Sequence, residues 1–302
     1  MFQIYPIKLS KQTPVFIINP IAGAKKLDSK HLIESFLLKN NLKAKIELTK
    51  EKDHGKKLAK SYLEQGYSHF VAVGGDGTIN EIASQLINTG ACLSIIPLGS
   101  GNGLARSLEI PMNFEDALNL VFSGKQLTID VGLLNDRPFF CTAGVGFDAY
   151  CAEMFAKQSH GRGLWNYIKV IFRGYFNYIT NVSDFCGQKK QYFSITFANA
   201  NQFGNNAFIA PDAIINDNFL DCCIIGPHPK LYGFYLGYLL MSKDIRSSKY
   251  VEYFRGSTFS LAHKNEILLH IDGEYVEPFT KKIEATTIPN ALIMNVKENY
   301  LP

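Results

Sequence analysis

The chain has 302 residues, 46% of them hydrophobic and 19% charged. That balance excludes disordered, collagen-like and coiled-coil proteins, and the length is the upper limit of one core, so two domains are expected. Lys and Arg number 31 against 27 Asp and Glu, a net +4, too slight an excess to indicate nucleic acid but suited to anionic phosphates or an anionic membrane surface.

PVFIIN (14–19) reads as a buried strand, KHLIESFLLKN (30–40) as a helix, KAKIELT (43–49) as a strand and HGKKLAKSYLEQG (54–66) as a helix. SHFVAVGG (68–75) and CLSIIPLG (92–99) are short apolar strands, each entering a glycine-rich turn and then a helix. Strands alternating with helices predict a parallel sheet covered on both faces. From about Leu127 the pattern changes to strands at 126–134, 137–144, 191–200, 218–226, 266–274, 281–288 and 290–296, with one helical stretch near 156–180. The expected organisation is an N-terminal α/β domain over 1–128 and a mostly antiparallel β-sandwich domain over 129–302.

The six cysteines (92, 141, 151, 186, 222, 223) form no CxxC and no zinc spacing. They read as buried free thiols in a reducing cytoplasm. On a strand, adjacent Cys222 and Cys223 would point to opposite faces. The start, MFQIYPIKLSK, has no signal-peptide core, and the longest apolar run, 231–241, is far short of the ~20 residues of a membrane helix.

The strongest local signal is GGDGT (74–78), directly after a strand. Gly74, Gly75 and Gly77 keep the backbone bare for a phosphate, and the following helix offers N–H groups and its positive end. Thr78 is expected to open a capping box with Glu81, and Asp76 to hold a cation or a hydroxyl beside the phosphates. PLGSGNGLAR (97–106) repeats the pattern with Ser100, Asn102 and a potential phosphate partner in Arg106. NPIAG, from Asn19 and Pro20 to Gly23, is a third such loop. Three loops after three parallel strands gather at the strands' carboxyl ends, a surface suited to a nucleoside triphosphate. Walker, Rossmann and protein-kinase signatures are absent.

In order and spacing, NPxxG, GGDGT and PLGSGNGLAR resemble the diacylglycerol kinase catalytic family, which includes bacterial soluble lipid kinases and the sphingosine and ceramide kinases. The likeness continues through VGLLNDRPFFCTAGVGFDA and NANQFGNNAFIAPDAIINDNFLD to IDGE at 271–274. It implies ATP-dependent phosphoryl transfer to a lipid hydroxyl with Mg2+, and ATP contacts from Asn19 to Gly23, Thr49, Gly74 to Thr78, Ser100 and Asn102. It implies Glu274 as general base, with Asp76 and Asp272 as competing candidates, because sphingosine kinases are thought to use the GGDG aspartate. It also implies a structural magnesium held by Asp217 and the carbonyls of Ile214 and Phe219. Asn218 stands where that turn usually has Gly, a position Asn tolerates because it adopts the left-handed conformation. Ser100 and Gly103 lean toward the sphingosine and ceramide kinase pattern, so the expected acceptor is either diacylglycerol-like or a sphingoid base.

A lipid kinase has to reach a membrane surface, so a cytoplasmic, peripherally associated protein is implied, and a homodimer is a family-level expectation. On a helix, Trp165, Ile168, Phe172, Tyr175, Phe176 and Ile179 share one face beside Lys169 and Arg173, fitting an interfacial helix or a core helix equally. The 231–241 stretch is expected in the core. Competing functions are an NAD kinase-type phosphotransferase, against which no Asn-Glu pair stands between Gly101 and Pro138, and a catalytically silent nucleotide or lipid sensor.

Overall fold

The computed structural model describes residues 11–23, 28–157, 172, 174–277 and 281–302, so most of the proposed 157–180 interfacial helix lies outside the described residues. The chain divides into two compact units, Met1–Ile129 with Asn290–Pro302, and Asp130–Pro289. The expected boundary near 128 needs one correction: residues 290–302 belong to the first unit.

The first unit is an α/β sheet in the order β2 (Lys45–Leu48), β1 (Val15–Ile18), β3 (His69–Gly74), β4 (Cys92–Pro97). All neighbours in this run are parallel. The C-terminal part of a long strand, β16 (Lys282–Val296), adds beside β4, with Ile293 and Met294 parallel to Cys92 and Leu93. That pairing is why residues after 289 leave the second unit. KKIEATTI and NALIMNV, read as two strands, are this single strand, continued through Pro289 with a left-handed Asn290 (φ 50°).

Every residue of β1 and β4 is buried, as expected for parallel strands covered on both faces. Phe16, Ile18, Val71, Val73 and Ile96 meet Ile33 and Leu37 of α1 (Ser29–Lys39) and Ala117, Leu118 and Val121 of α5 (Phe114–Ser123). The alternate residues Val15, Ile17, Phe70 and Ala72 are equally buried and face the other way, toward α2 (His54–Glu64) and α3 (Asp76–Leu86). Between β4 and α5 lies the short helix α4 (Gly103–Ser107).

The expected Thr78–Glu81 capping box does not form. Helix α3 begins at Asp76, two residues before Thr78, so Glu81 lies inside it. The Glu81 carboxylate instead accepts the backbone N–H groups of Asp53 (2.9 Å) and Gly55 (3.0 Å) at the start of α2. Asp53 is left-handed (φ 61°) and makes no side-chain cap, so Glu81 supplies the cap from the neighbouring helix. A Cβ on Gly55 would come within 2.7 Å of that carboxylate.

In the second unit a six-stranded sheet runs β12 (Val251–Gly256), β11 (Leu220–Ile225), β10 (Ser194–Ala198), β7 (Thr142–Gly146), β14 (Leu269–Ile271), β15 (Glu274–Val276), with every neighbouring pair antiparallel. The opposing layer contains β5 (Lys125–Leu134) paired with β6 (Arg137–Phe139), and β13 (Thr258–Ala262) between β8 (Asn181–Phe185) and the first half of β16, with β9 (Gln188–Tyr192) beside β8. Phe139, Tyr192 and Ile283 of this layer close on Val145, Phe197 and Cys222 of the six-stranded sheet, making the expected sandwich core. Cys222 faces that core, whereas Cys223 faces the outer layer with Phe147 and Cys151 of α6 (Phe147–Ala156) and Leu236 and Leu239 of α7 (Tyr232–Met241). Five cysteines are buried as expected, but Cys186, in the β8–β9 turn, is exposed. No helix among the described residues is long and apolar enough to cross a membrane.

Replacing Glu81 with Ala leaves two N-terminal amides of α2 without their acceptor, and urea unfolding is expected to show a loss of about 1–2 kcal/mol.

Candidate active site

Three loops converge at the carboxyl ends of β1, β3 and β4. Asn19, just past β1, donates from Nδ2 to Thr78 Oγ1 on α3 at 3.1 Å. Its own Oδ1 accepts from Ile21 N at 3.2 Å, and Gly23 takes a positive φ of 93°. Pro20 is exposed on this turn. Thr49 follows β2 and is tied to β1 by its N–H to Ile18 O.

Asp76 bridges the other two loops. Its Oδ2 accepts from Asn102 N at 2.8 Å and its Oδ1 from Gly103 N at 2.9 Å. The glycines serve this junction directly. A Cβ on Gly99 would lie 2.6 Å from Gly75 Cα, and one on Gly75 would lie 3.1 Å from Gly99 Cα. The motif glycines thus let two loops touch backbone to backbone, a steric need beyond the phosphate approach expected from the sequence. Asn102 holds the left-handed conformation (φ 52°) and donates from Nδ2 to Gly99 O at 2.8 Å. Its Oδ1 is buried and accepts no hydrogen bond from the described residues. Ser100 is exposed at the tip of the loop. Arg106 turns its Nε back to Gly101 O at 3.1 Å and helps hold this loop.

In the second unit, IDGE is a two-residue hairpin between β14 and β15. Asp272 and Gly273 both have positive φ (48° and 80°), the backbone of a type I′ turn. The Asp272 carboxylate accepts N–H groups of Phe140, Cys141 and Thr142 at 2.8–3.2 Å. Glu274, the first residue of β15, is exposed, and its carboxylate makes no hydrogen bond or ion pair with any described residue. Of the three proposed carboxylates, Glu274 is the one whose oxygens are open to a substrate.

Asp217 lies in the turn before β11. Its Oδ1 accepts from Phe219 N at 3.0 Å and its Oδ2 is ion-paired with Arg255 on β12. Asn218 adopts the left-handed conformation (φ 70°) and donates its N–H to Asp130 Oδ2 at 2.6 Å, so the turn survives without Gly. The guanidinium also lies over the Phe219 ring, 5.1 Å from its centre. A dication bound by Asp217 and the Ile214 and Phe219 carbonyls would sit beside that positive charge and compete with Arg255 for the same carboxylate. The residues present do not fit a structural magnesium. Arg255 supplies the positive charge instead. No group of three His, Cys, Asp or Glu side chains suited to a metal occurs among the described residues.

One carboxylate was not singled out from the sequence. Asp148, in the first turn of α6, accepts a hydrogen bond from Thr196 Oγ1 at 3.0 Å, and burial pushes its carboxyl up to about 6. Its GFDA setting was visible, but nothing in the sequence said that β10 would place Thr196 opposite it.

Residues 13–134 match the diacylglycerol kinase catalytic domain, and residues 142–296 match the YegS C-terminal NAD kinase beta sandwich-like domain. The chain belongs to the diacylglycerol kinase catalytic family. A protein of Escherichia fergusonii called a probable lipid kinase YegS is 30% identical over 216 residues, covering 66% of this chain and 71% of that one. An uncharacterized Synechocystis protein is 31% identical over 176 residues, and there the match spans 54% of this chain but only 41% of the relative's length. The fold is shared with a structure described as a putative diacylglycerol kinase from Bacillus anthracis, at TM-score 0.78 and 17% identity over 96% of this chain and 97% of that one. An NAD kinase from Archaeoglobus fulgidus, solved in complex with ATP, shares it more distantly, at TM-score 0.51 and 14% identity over 95% and 94% of the two chains. As a member of this family the chain is of the kinase type, and family membership supports the use of a nucleotide.

Two measurements test the second-unit carboxylates. Magnesium or a chelator should leave the melting temperature of the nucleotide-free protein unchanged, whereas Arg255→Ala should cost about 1–2 kcal/mol and make melting respond to magnesium. For Asp148 the native pKa lies above the ordinary 3.8, so ionisation costs native stability as pH rises from about 4 to about 6. Asp148→Asn should match the wild type at pH 4 and exceed it by about 2 kcal/mol above pH 6, read by urea titration at both pH values.

Proposed function

We propose that this protein is an ATP-dependent lipid kinase that transfers the γ-phosphoryl group to a lipid hydroxyl. The observation that carries the nucleotide half is the junction of the GGDGT and GSGNG loops on Asp76, with Asn19 joined through Thr78. That junction holds bare backbone and the N-terminus of α3 at the ends of three parallel strands, where an anion is stabilised by N–H groups and the helix dipole. Asp76, with both oxygens accepting backbone N–H groups, acts in this reading as a positioning residue. Magnesium enters with ATP as part of the substrate.

Glu274 is the general base in this reading, supported by its open carboxylate. It accepts the proton of the acceptor hydroxyl as that oxygen attacks the γ-phosphorus, the bond to the bridging oxygen breaks, and ADP leaves. Asp272 sets the hairpin that presents Glu274. The probable-lipid-kinase naming of the relatives supports a lipid acceptor, and Ser100 and Gly103 keep a sphingoid base beside diacylglycerol as the acceptors to try first. The likeness to an NAD kinase fold makes NAD the competing acceptor, although that likeness carries the fold alone.

Transfer of labelled γ-phosphate from ATP should mark diacylglycerol or sphinganine and leave NAD unlabelled; label on NAD alone would overturn the lipid reading. Glu274→Gln should lower kcat by about 10²–10⁴-fold with an unchanged melting temperature. Asp272→Asn should act mainly through stability. Full activity in Glu274→Gln would remove Glu274 from the chemistry.

A further inference from the structure

Helix α7, YGFYLGYLLM, contains no charged residue, yet only Leu236 and Leu239 are buried. An apolar helix of this kind normally belongs in a core or a membrane, and a core was the expectation from sequence. The structure corrects that: Phe234 is 56% exposed, Tyr238 64% and, just before the helix, Leu231 78%. The exposure is continuous with a second element. Phe172 and Phe176 are exposed as well, and their ring centres lie 5.5 Å apart and each 6.4 Å from that of Phe234. Exposed apolar side chains scattered singly are ordinary, whereas a contiguous aromatic cluster of this kind marks a contact surface.

The charges around it identify the partner. Between residues 226 and 250 stand Lys230, Lys243, Arg246 and Lys249 against a single carboxylate, Asp244. Arg246 is paired with Asp212, which leaves the three lysines flanking the helix against Asp244, a net +2. Lys230 is fixed in place, its Nζ donating to the carbonyls of Tyr175 and Tyr178 at 2.9 and 3.0 Å. Tyr238 adds a ring with a polar tip, a side chain suited to the boundary between hydrocarbon and water. Apolar rings framed by lysines, with no acidic residue on the helix, complement an anionic bilayer.

We propose that α7, with Phe172 and Phe176 beside it, forms the face by which this protein docks on an anionic lipid membrane. The choice of a bilayer over a protein partner rests on the lipid-kinase reading, because a bilayer is where such an acceptor is found. The rings of Phe172, Phe176 and Phe234 enter the interfacial layer while the flanking lysines stay at the headgroups.

The test is co-sedimentation of the full chain with vesicles of phosphatidylcholine alone or enriched in phosphatidylglycerol. The wild type should partition onto the anionic vesicles and release as salt is raised. F234S/Y238S should bind them at least about tenfold more weakly, and K243E/K249E should lose the anionic preference. These are exposed side chains, and an unchanged melting temperature verifies that each variant is folded. Turnover of a short-chain, water-soluble diacylglycerol, which needs no bilayer, should stay within about twofold in both. Equal vesicle binding by wild type and F234S/Y238S would overturn the proposal. So would a concentration-dependent dimer that the same substitutions abolish, since the face would then belong to a second copy. Lipid binding lost in the variants of a protein that phosphorylates no lipid would keep the docking face and reject the kinase reading. Phosphorylation of soluble lipid with no vesicle binding would do the reverse.

Discussion

The first unit depends on one carboxylate between two loops. Asp76 stands at the first position of α3, and its two oxygens accept the two N–H groups that open α4. Charge-assisted bonds of this kind are about twice as strong as neutral ones. They hold together backbones that could not approach so closely if Gly99 carried a Cβ. A polar junction, a steric requirement and a helix N-terminus thus coincide at one residue. Asn19 joins the same assembly through Thr78, so the ends of β1, β3 and β4 are tied by side chain to backbone and by side chain to side chain. The loops are preorganised for a ligand by bonds that already exist within the protein.

The second unit sorts neighbouring carboxylates in a comparable way. Asp272 and Glu274 are separated only by Gly273, but the hairpin gives them opposite circumstances. The turn points Asp272 at three consecutive amides, which saturate it, and starts β15 with Glu274 open to solvent. Asp217 illustrates a third arrangement, in which an arginine supplies the positive charge that faces the carboxylate. Residue type alone says little in such motifs; the number of donors already facing each oxygen decides what it can do.

Much of this architecture was legible in the sequence. The buried strands declared themselves as short apolar runs ending in glycine, and the gathering of NPIAG, GGDGT and GSGNG followed from parallel strand order. What escaped were contacts between elements distant in sequence. Glu81 sits three residues after Thr78, the spacing of a capping box, yet it caps α2, because the close packing of Gly55 on α3 brings those amides within reach. Two apparent strands around Pro289 proved continuous. The all-apolar composition of α7 pointed inward, and only the tertiary structure reveals that one edge of the helix suffices to cover Cys223 and Ile225 while the remainder faces out.

The return of β16 to the first unit has a consequence for how the protein is made. Cys92 pairs with Ile293, so the sheet that carries the glycine-rich loops acquires its last strand only after the entire sandwich has been translated. On the ribosome, β4 would wait with an open, buried-type edge while some two-thirds of the chain emerges. Folding of the domain that comes first is thereby made conditional on the domain that follows it, and an arrested or truncated nascent chain would expose a hydrophobic strand edge to the quality-control machinery.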